Sequence, residues 1–64
     1  MEITLNGELL DLTSHALLEI LKEYGAIAPY AVAVNGVFIP KSQHNGFVIN
    51  EGDSIELLSP IQGG

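Results

Sequence analysis

The residues with the clearest chemical potential are the last two, Gly63 and Gly64, which follow Pro60, Ile61 and Gln62. A glycine pair has no side chains and adopts most backbone angles, so it can enter a narrow slot and present a carboxylate to another protein's active site. Residues 61–64 (the tail) could extend roughly 13 to 14 Å at about 3.3 to 3.6 Å per residue. The sequence therefore predicts a flexible tail with Gly64 as its reactive end.

The remaining polar residues form no pattern typical of an enzyme or a metal site. His15 and His44 lack the spacing of metal ligands, and we expect both to be solvated. Cysteine is absent, which excludes disulfides, thiolate ligands and cysteine nucleophiles. Four carboxylates could in principle pair for acid and base catalysis, but no nucleophile accompanies them, and turn capping or solvation explains them better: Asp11, Glu51, Asp53 and Glu56. We expect no enzymatic activity, no metal and no cofactor.

Size and charge narrow the function classes further. The 64 residues have room for a single domain, residues 1–64, and the formal net charge is −6. This charge repels nucleic-acid phosphates and favours encounter with basic protein surfaces. No apolar run of about 18 residues could span a membrane, and no secretory signal pattern is visible. The expectation is a cytoplasmic protein that binds neither nucleic acid nor membrane.

Two Asn-Gly pairs, at residues 6–7 and 35–36, predict two β-hairpins. The first joins a strand containing Ile3 and Leu5 to an arm at residues 8–12, in which Leu9 points away from the core. The second joins strands at 30–34 and 37–39, with Pro40 ending the latter. A final strand is predicted at 54–58, with Ile55 and Leu57 inward and Pro60 closing it, whereas residues 41–46 are expected to form a loop and 47–49 to enter the core.

Between the hairpins, the spacing of apolar residues predicts one amphipathic helix of about eleven residues. Thr13 and Ser14 offer capping oxygens at its start, and Gly25 is placed to end it in a left-handed turn. The apolar stripe comprises Leu17, Leu18, Ile20, Leu21 and Tyr24. A right-handed crossover through this helix would place the last strand parallel to the first, in the middle of the sheet. This is the α+β class in its β-grasp, or ubiquitin-like, form, with a mixed sheet of four to five strands packed on one helix.

Alternation also places Leu58 and Phe38 on the sheet face away from the helix. An apolar patch there would invite a protein partner. Because Leu58 leads through Pro60 into the tail, one partner could engage the patch and the tail together.

Several short segments in a fixed order resemble the ThiS family, the sulfur carriers of thiamin thiazole biosynthesis. They are Val34-Asn35-Gly36, Pro40-Lys41-Ser42-Gln43, Glu51-Gly52-Asp53 and Gly63-Gly64. Members often carry an aromatic residue where His44 stands, and Ile61-Gln62 is one of several variants found before the glycines. These departures leave open a MoaD-like sibling, the small subunit of molybdopterin synthase, which is typically longer.

The resemblance implies a protein co-substrate rather than an enzyme. A ThiF-like enzyme would adenylate the Gly64 carboxylate with ATP, a sulfur donor protein would convert it to a thiocarboxylate, and a ThiG-like thiazole synthase would receive the sulfur. Gly63, Gln62 and Ile61 would thread the partner's channel. Two other interpretations remain open: a ubiquitin-like interaction module without chemistry, and a modifier joined to lysines.

Overall fold

The computed structural model describes residues 1–59, which contain five strands, one α-helix and a short 3₁₀ turn. The predicted Pro60 stop and the tail lie outside the described residues. In chain order the elements are β1 (Glu2–Leu5), β2 (Glu8–Asp11), α1 (Leu17–Tyr24), β3 (Ala31–Val34), β4 (Val37–Ile39), η1 (Lys41–Gln43) and β5 (Ser54–Leu58). Each predicted strand is present, and the four for which bounds were predicted begin and end within one residue of them. In this part of the chain no helix has the length and apolarity needed to cross a bilayer.

The sheet has the strand order β2-β1-β5-β3-β4. The β1–β2 and β3–β4 pairs are antiparallel hairpins, while β5 lies between them, parallel to β1 and antiparallel to β3. The crossover through α1 therefore returns the last strand to the centre, as predicted. This mixed five-stranded sheet with one helix is the β-grasp arrangement.

Both hairpins turn at their Asn-Gly pairs. Asn6 and Asn35 each have φ of 53°, and the glycines that follow them have φ of 83° and 81°. Positive φ at both central residues matches the right-handed twist of the flanking strands, which is why Asn-Gly is favoured there. In the first hairpin, Ile3 pairs with Leu10 and Thr4 with Leu9, so Leu9 is left on the outer side as expected.

The core lies between the inner face of the sheet and α1. Each strand except β2 contributes at least one buried aliphatic side chain, and α1 contributes three. The buried set is Ile3, Leu5, Leu17, Ile20, Leu21, Val32, Val34, Ile39, Ile49 and Ile55. The burial of Ile49 confirms that residues 47–49 enter the core, although Val48 in the same segment is exposed. The apolar stripe of α1 is narrower than predicted, since Leu18 and Tyr24 are about two-fifths exposed.

The start of α1 differs from the prediction. The helix begins at Leu17 and has 8 residues, with Ala16 as N-cap and no side-chain cap. The Ser14 hydroxyl accepts a hydrogen bond from the N–H of Ala16 at 3.1 Å, one residue before the helix. Ala16 is instead bridged to Val48, and the N–H of Leu17 donates to the carbonyl of Phe47 at 3.1 Å. The distant segment at 47–48 thus fixes where the helix begins. Its end is as predicted, because Gly25 has φ of 94° and donates to Leu21 and Lys22 carbonyls.

His44 was expected to be solvated, and that prediction is wrong. Its side chain is 3% exposed, and Nε2–H donates to the carbonyl oxygen of Ile39 at 2.9 Å. The imidazole lies parallel to the ring of Tyr30, with 3° between the planes and 6.1 Å between the centroids. His44 is therefore a core residue of the loop after β4, whereas His15 is exposed as expected.

Candidate functional site

The candidate site is the outer face of the sheet, defined as the surface away from α1, together with the end of β5. Ser59 follows β5 directly and is the last described residue. The predicted site residues Pro60, Ile61, Gln62, Gly63 and Gly64 lie beyond it, outside the described residues. β5 occupies the central position of the sheet and has a neighbouring strand on each side.

Phe38 and Leu58 are both exposed on the outer face, with relative accessibilities of 61% and 71%. The register explains why they come together. Phe38 of β4 lies opposite Ala33, and Leu58 of β5 lies opposite Ala31, on the two edges of β3. The small alanines between two large side chains leave a shallow depression of about 150 Å³. We call Phe38, Leu58 and the two alanines the apolar patch.

The charged groups around the apolar patch are acidic. Glu56 lies opposite Ala33 on the same face and lines the same depression. Glu2 and Asp11 pair across β1 and β2 at the far side of the sheet. The two lysines are on other elements, Lys22 on α1 and Lys41 on η1. A partner that covers this face would therefore match it best with an apolar surface flanked by basic side chains.

Two asparagine side chains hold the ends of β5. At its start, Asn35 Oδ1 accepts from the N–H of Ser54 at 2.9 Å, and Asn35 Nδ2 donates to Asp53 Oδ1 at 3.0 Å. Near its end, Asn6 Oδ1 accepts from the N–H of Leu57 at 2.8 Å, and Asn6 Nδ2 donates to the Leu57 carbonyl at 3.2 Å. These asparagines were identified from the sequence as turn residues only. Their bonds to β5 depend on which strand pairs beside each turn, and a local pattern cannot show that.

Two of the four carboxylates considered for catalysis make hydrogen bonds to the backbone instead, while Asp11 and Glu56 are exposed. Asp53 Oδ2 accepts from the N–H of Asn50 at 2.8 Å, and both oxygens of Glu51 accept from the N–H of Glu2 at 3.1 Å. The Asp53 bond is the turn capping that the sequence predicts, whereas the Glu51 bonds hold the turn to the start of β1. Within residues 1–59 no group of three or more histidine and carboxylate side chains is arranged to hold a metal ion.

Comparison with known proteins places the chain among sulfur-carrier sequences. The model of the ThiS family matches residues 3–64, which includes the glycine pair. No curated protein has significant sequence similarity to the chain.

Among solved structures, the crystal structure of the thiamine biosynthesis protein (ThiS) from Geobacter metallireducens is similar over 100% of both chains. The TM-score is 0.80 and the sequence identity is 22%. At this identity the likeness supports the fold.

Proposed function

Because the chain belongs to the ThiS family, whose members are sulfur carriers in thiamin biosynthesis, we propose that it carries sulfur on the carboxyl carbon of Gly64. The observation that carries this proposal is the match of the family model through residue 64, so that the glycine pair lies inside the family pattern. The chain then acts as a protein co-substrate, and partner enzymes supply the catalysis.

The chemistry needs only a free carboxylate at Gly64. An α-carboxyl group is ionised at neutral pH, so an oxygen of Gly64 can attack the α-phosphorus of ATP, and pyrophosphate leaves. The resulting acyl adenylate is a far better electrophile than the carboxylate. Hydrosulfide (HS⁻) supplied by the sulfur donor protein then attacks the acyl carbon, AMP leaves, and loss of the proton gives the thiocarboxylate. Since the chain has no cysteine, it cannot carry the sulfur as a persulfide.

Two partners follow from this cycle: a ThiF-like adenylating enzyme and a ThiG-like thiazole synthase. Gly63 has no side chain, which lets the tail pass through a narrow channel, and Gln62 and Ile61 contact the channel walls. Phe38, Leu58 and Pro60 form the surface on which the body of the domain docks. The acidic and apolar character of the outer face supports this docking.

Intact-mass analysis tests the proposal. The chain is incubated with a ThiF-like enzyme, ATP and a sulfur donor, and we expect a mass gain equal to one exchange of oxygen for sulfur, located at Gly64 by fragmentation. Omission of ATP and deletion of Gly64 should each abolish the gain. The proposal is wrong if no gain appears with the full set of components, or if the deletion variant supports thiazole synthesis as well as the intact chain does.

A binding module without chemistry is the second candidate, and the exposed apolar patch favours it. In that case removal of Gly63 and Gly64 would leave the affinity for the partner unchanged, whereas Leu58→Ala would weaken it. The sulfur carrier differs from this candidate in turnover rather than in affinity, because deletion of Gly63 and Gly64 must abolish formation of the thiocarboxylate.

A further inference from the structure

Asn6 takes the place of a strand beside the end of β5. The backbone pairing of β1 with β5 stops at Leu5 and Ile55, and the N–H of Asn6 makes the last backbone bond, to the Ile55 carbonyl at 2.9 Å. The chain then turns away into the hairpin. The side-chain amide of Asn6 reaches Leu57 and bonds both its N–H and its carbonyl, as a continuing strand would.

The two edges of β5 differ near the end of the strand. On the opposite edge of β5, pairing with β3 continues as far as Ala31 and Leu58. On the Asn6 edge an open depression of about 490 Å³ lies beside the strand, lined by Asn6, Tyr24, Gly25, Leu57 and Ser59. Without the amide of Asn6, the last two residues of β5 would be held along one edge only.

The position of Leu57 suggests how the hydrogen bonds from Asn6 could affect function. Leu57 immediately precedes Leu58 of the apolar patch and stands two residues before Ser59, where the chain leaves the sheet. We propose that Asn6 is a positioning residue for the activation of Gly64, since it fixes the direction in which the chain departs from β5. The inference rests on the proposed function, because it requires that the partner enzyme recognises the tail.

The second Asn-Gly turn provides a matched control. Asn6→Gly and Asn35→Gly each retain a residue that tolerates the φ of 53° and each remove a side chain that bonds β5. They differ in which end of β5 is released: Asn35 holds Ser54, at the end far from the tail. Asn6→Asp is an intermediate variant, because it keeps an acceptor for the Leu57 N–H but has no donor for the Leu57 carbonyl.

Adenylation kinetics with a ThiF-like enzyme and ATP measure the effect, at a temperature at which circular dichroism shows every variant folded. We expect kcat for pyrophosphate release to fall about tenfold in Asn6→Gly, since small displacements of a reacting group are costly. Asn6→Asp should fall between Asn6→Gly and the unaltered chain, and Asn35→Gly should stay within about twofold of it. The Kd for the enzyme without ATP should change less than about twofold, because docking on the apolar patch is retained.

Amide hydrogen exchange gives a readout that does not depend on the enzyme. The Leu57 N–H should lose protection in Asn6→Gly but not in Asn35→Gly, where the Ser54 N–H should lose it instead. Equal kcat for the two glycine variants, or unchanged protection of Leu57 in Asn6→Gly, would overturn the inference while leaving the sulfur-carrier function intact. If the unaltered chain is not adenylated at all, the proposed function fails first and the positioning role fails with it.

Discussion

At the scale of single residues, His44 shows how one side chain can hold a loop to the core. Its Nε2–H bonds the carbonyl of Ile39, the last residue of β4, and its ring lies parallel to that of Tyr30. The loop after β4 contains a 3₁₀ turn and no strand, so few backbone bonds anchor it. The buried ring therefore donates a hydrogen bond to the last carbonyl of β4 and fills the space beside Tyr30.

Replacement of His44 separates these two contributions. His44→Phe retains a ring but leaves the Ile39 carbonyl without its partner, and we expect a loss of about 1 to 2 kcal/mol of unfolding free energy. His44→Ala also opens a cavity and should cost about 2 to 4 kcal/mol. Urea denaturation followed by circular dichroism measures both.

His15→Ala is the control for this series. The His15 ring also bonds a carbonyl, that of Ile49 at 2.9 Å, but the residue is exposed and water can replace the bond. Its removal should cost less than about 1 kcal/mol. Equal losses for His15→Ala and His44→Ala would contradict the structural role given to His44.

The burial of His44 could not be predicted from the sequence, and the reason is physical. A lone histidine in a polar loop has no local pattern that distinguishes a solvated ring from a buried one. What decides its place is the carbonyl of Ile39, five residues earlier, and the ring of Tyr30, directly before β3. The site residues beyond Ser59 were likewise proposed from residue type and family resemblance, and they remain predictions.

At the scale of elements, local patterns predicted the strands well and the start of the helix poorly. Asn-Gly turns and period-two alternation are local signals, and they gave both hairpins and β5 their correct places. The helix start depends on the contact of Ala16 with Val48, more than thirty residues away. The predicted caps, Thr13 and Ser14, therefore lie before the point at which the helix begins.

The uncapped start of α1 predicts a stabilising substitution. Ala16 has extended backbone angles, φ −85° and ψ 122°, and within residues 1–59 the N–H groups of Leu18 and Glu19 have no hydrogen-bond partner. A serine at position 16 would place an acceptor beside them. Ala16→Ser should raise the free energy of unfolding by about 0.5 to 1 kcal/mol in urea titrations.

A valine at the same position tests the cause of that gain. Ala16→Val suits the extended angles and adds bulk at an exposed site but offers no oxygen to the helix amides. It should leave stability within about 0.5 kcal/mol of the unaltered chain. A gain equal to that of Ala16→Ser would show that the extended conformation, rather than a cap, is responsible.

At the scale of the whole molecule, the two faces of the sheet differ in role: one stabilises the fold and the other is available to bind a partner. The inner face and α1 form the buried core, and the outer face carries the apolar patch beside acidic side chains. A formal net charge of −6 opposes self-association and favours basic partners. β5 has side chains on both faces of the sheet and is followed directly by Ser59. The same strand therefore contributes to the core and to the apolar patch and precedes the C-terminal segment.

Two leucines on the outer face allow the recognition surface to be located. Leu58 of β5 and Leu9 of β2 are 71% and 64% exposed, but only Leu58 lies beside the alanines of β3. If the partner covers the apolar patch, Leu58→Ala should weaken binding to a ThiF-like enzyme by about 1 to 2 kcal/mol, or about five- to thirtyfold in Kd. Leu9→Ala should change Kd by less than about twofold, and neither variant should alter the free energy of unfolding by more than about 0.5 kcal/mol. Isothermal titration calorimetry of the two variants gives the comparison, and equal losses of affinity would place the interface across the whole sheet instead of at the strand that leads to the tail.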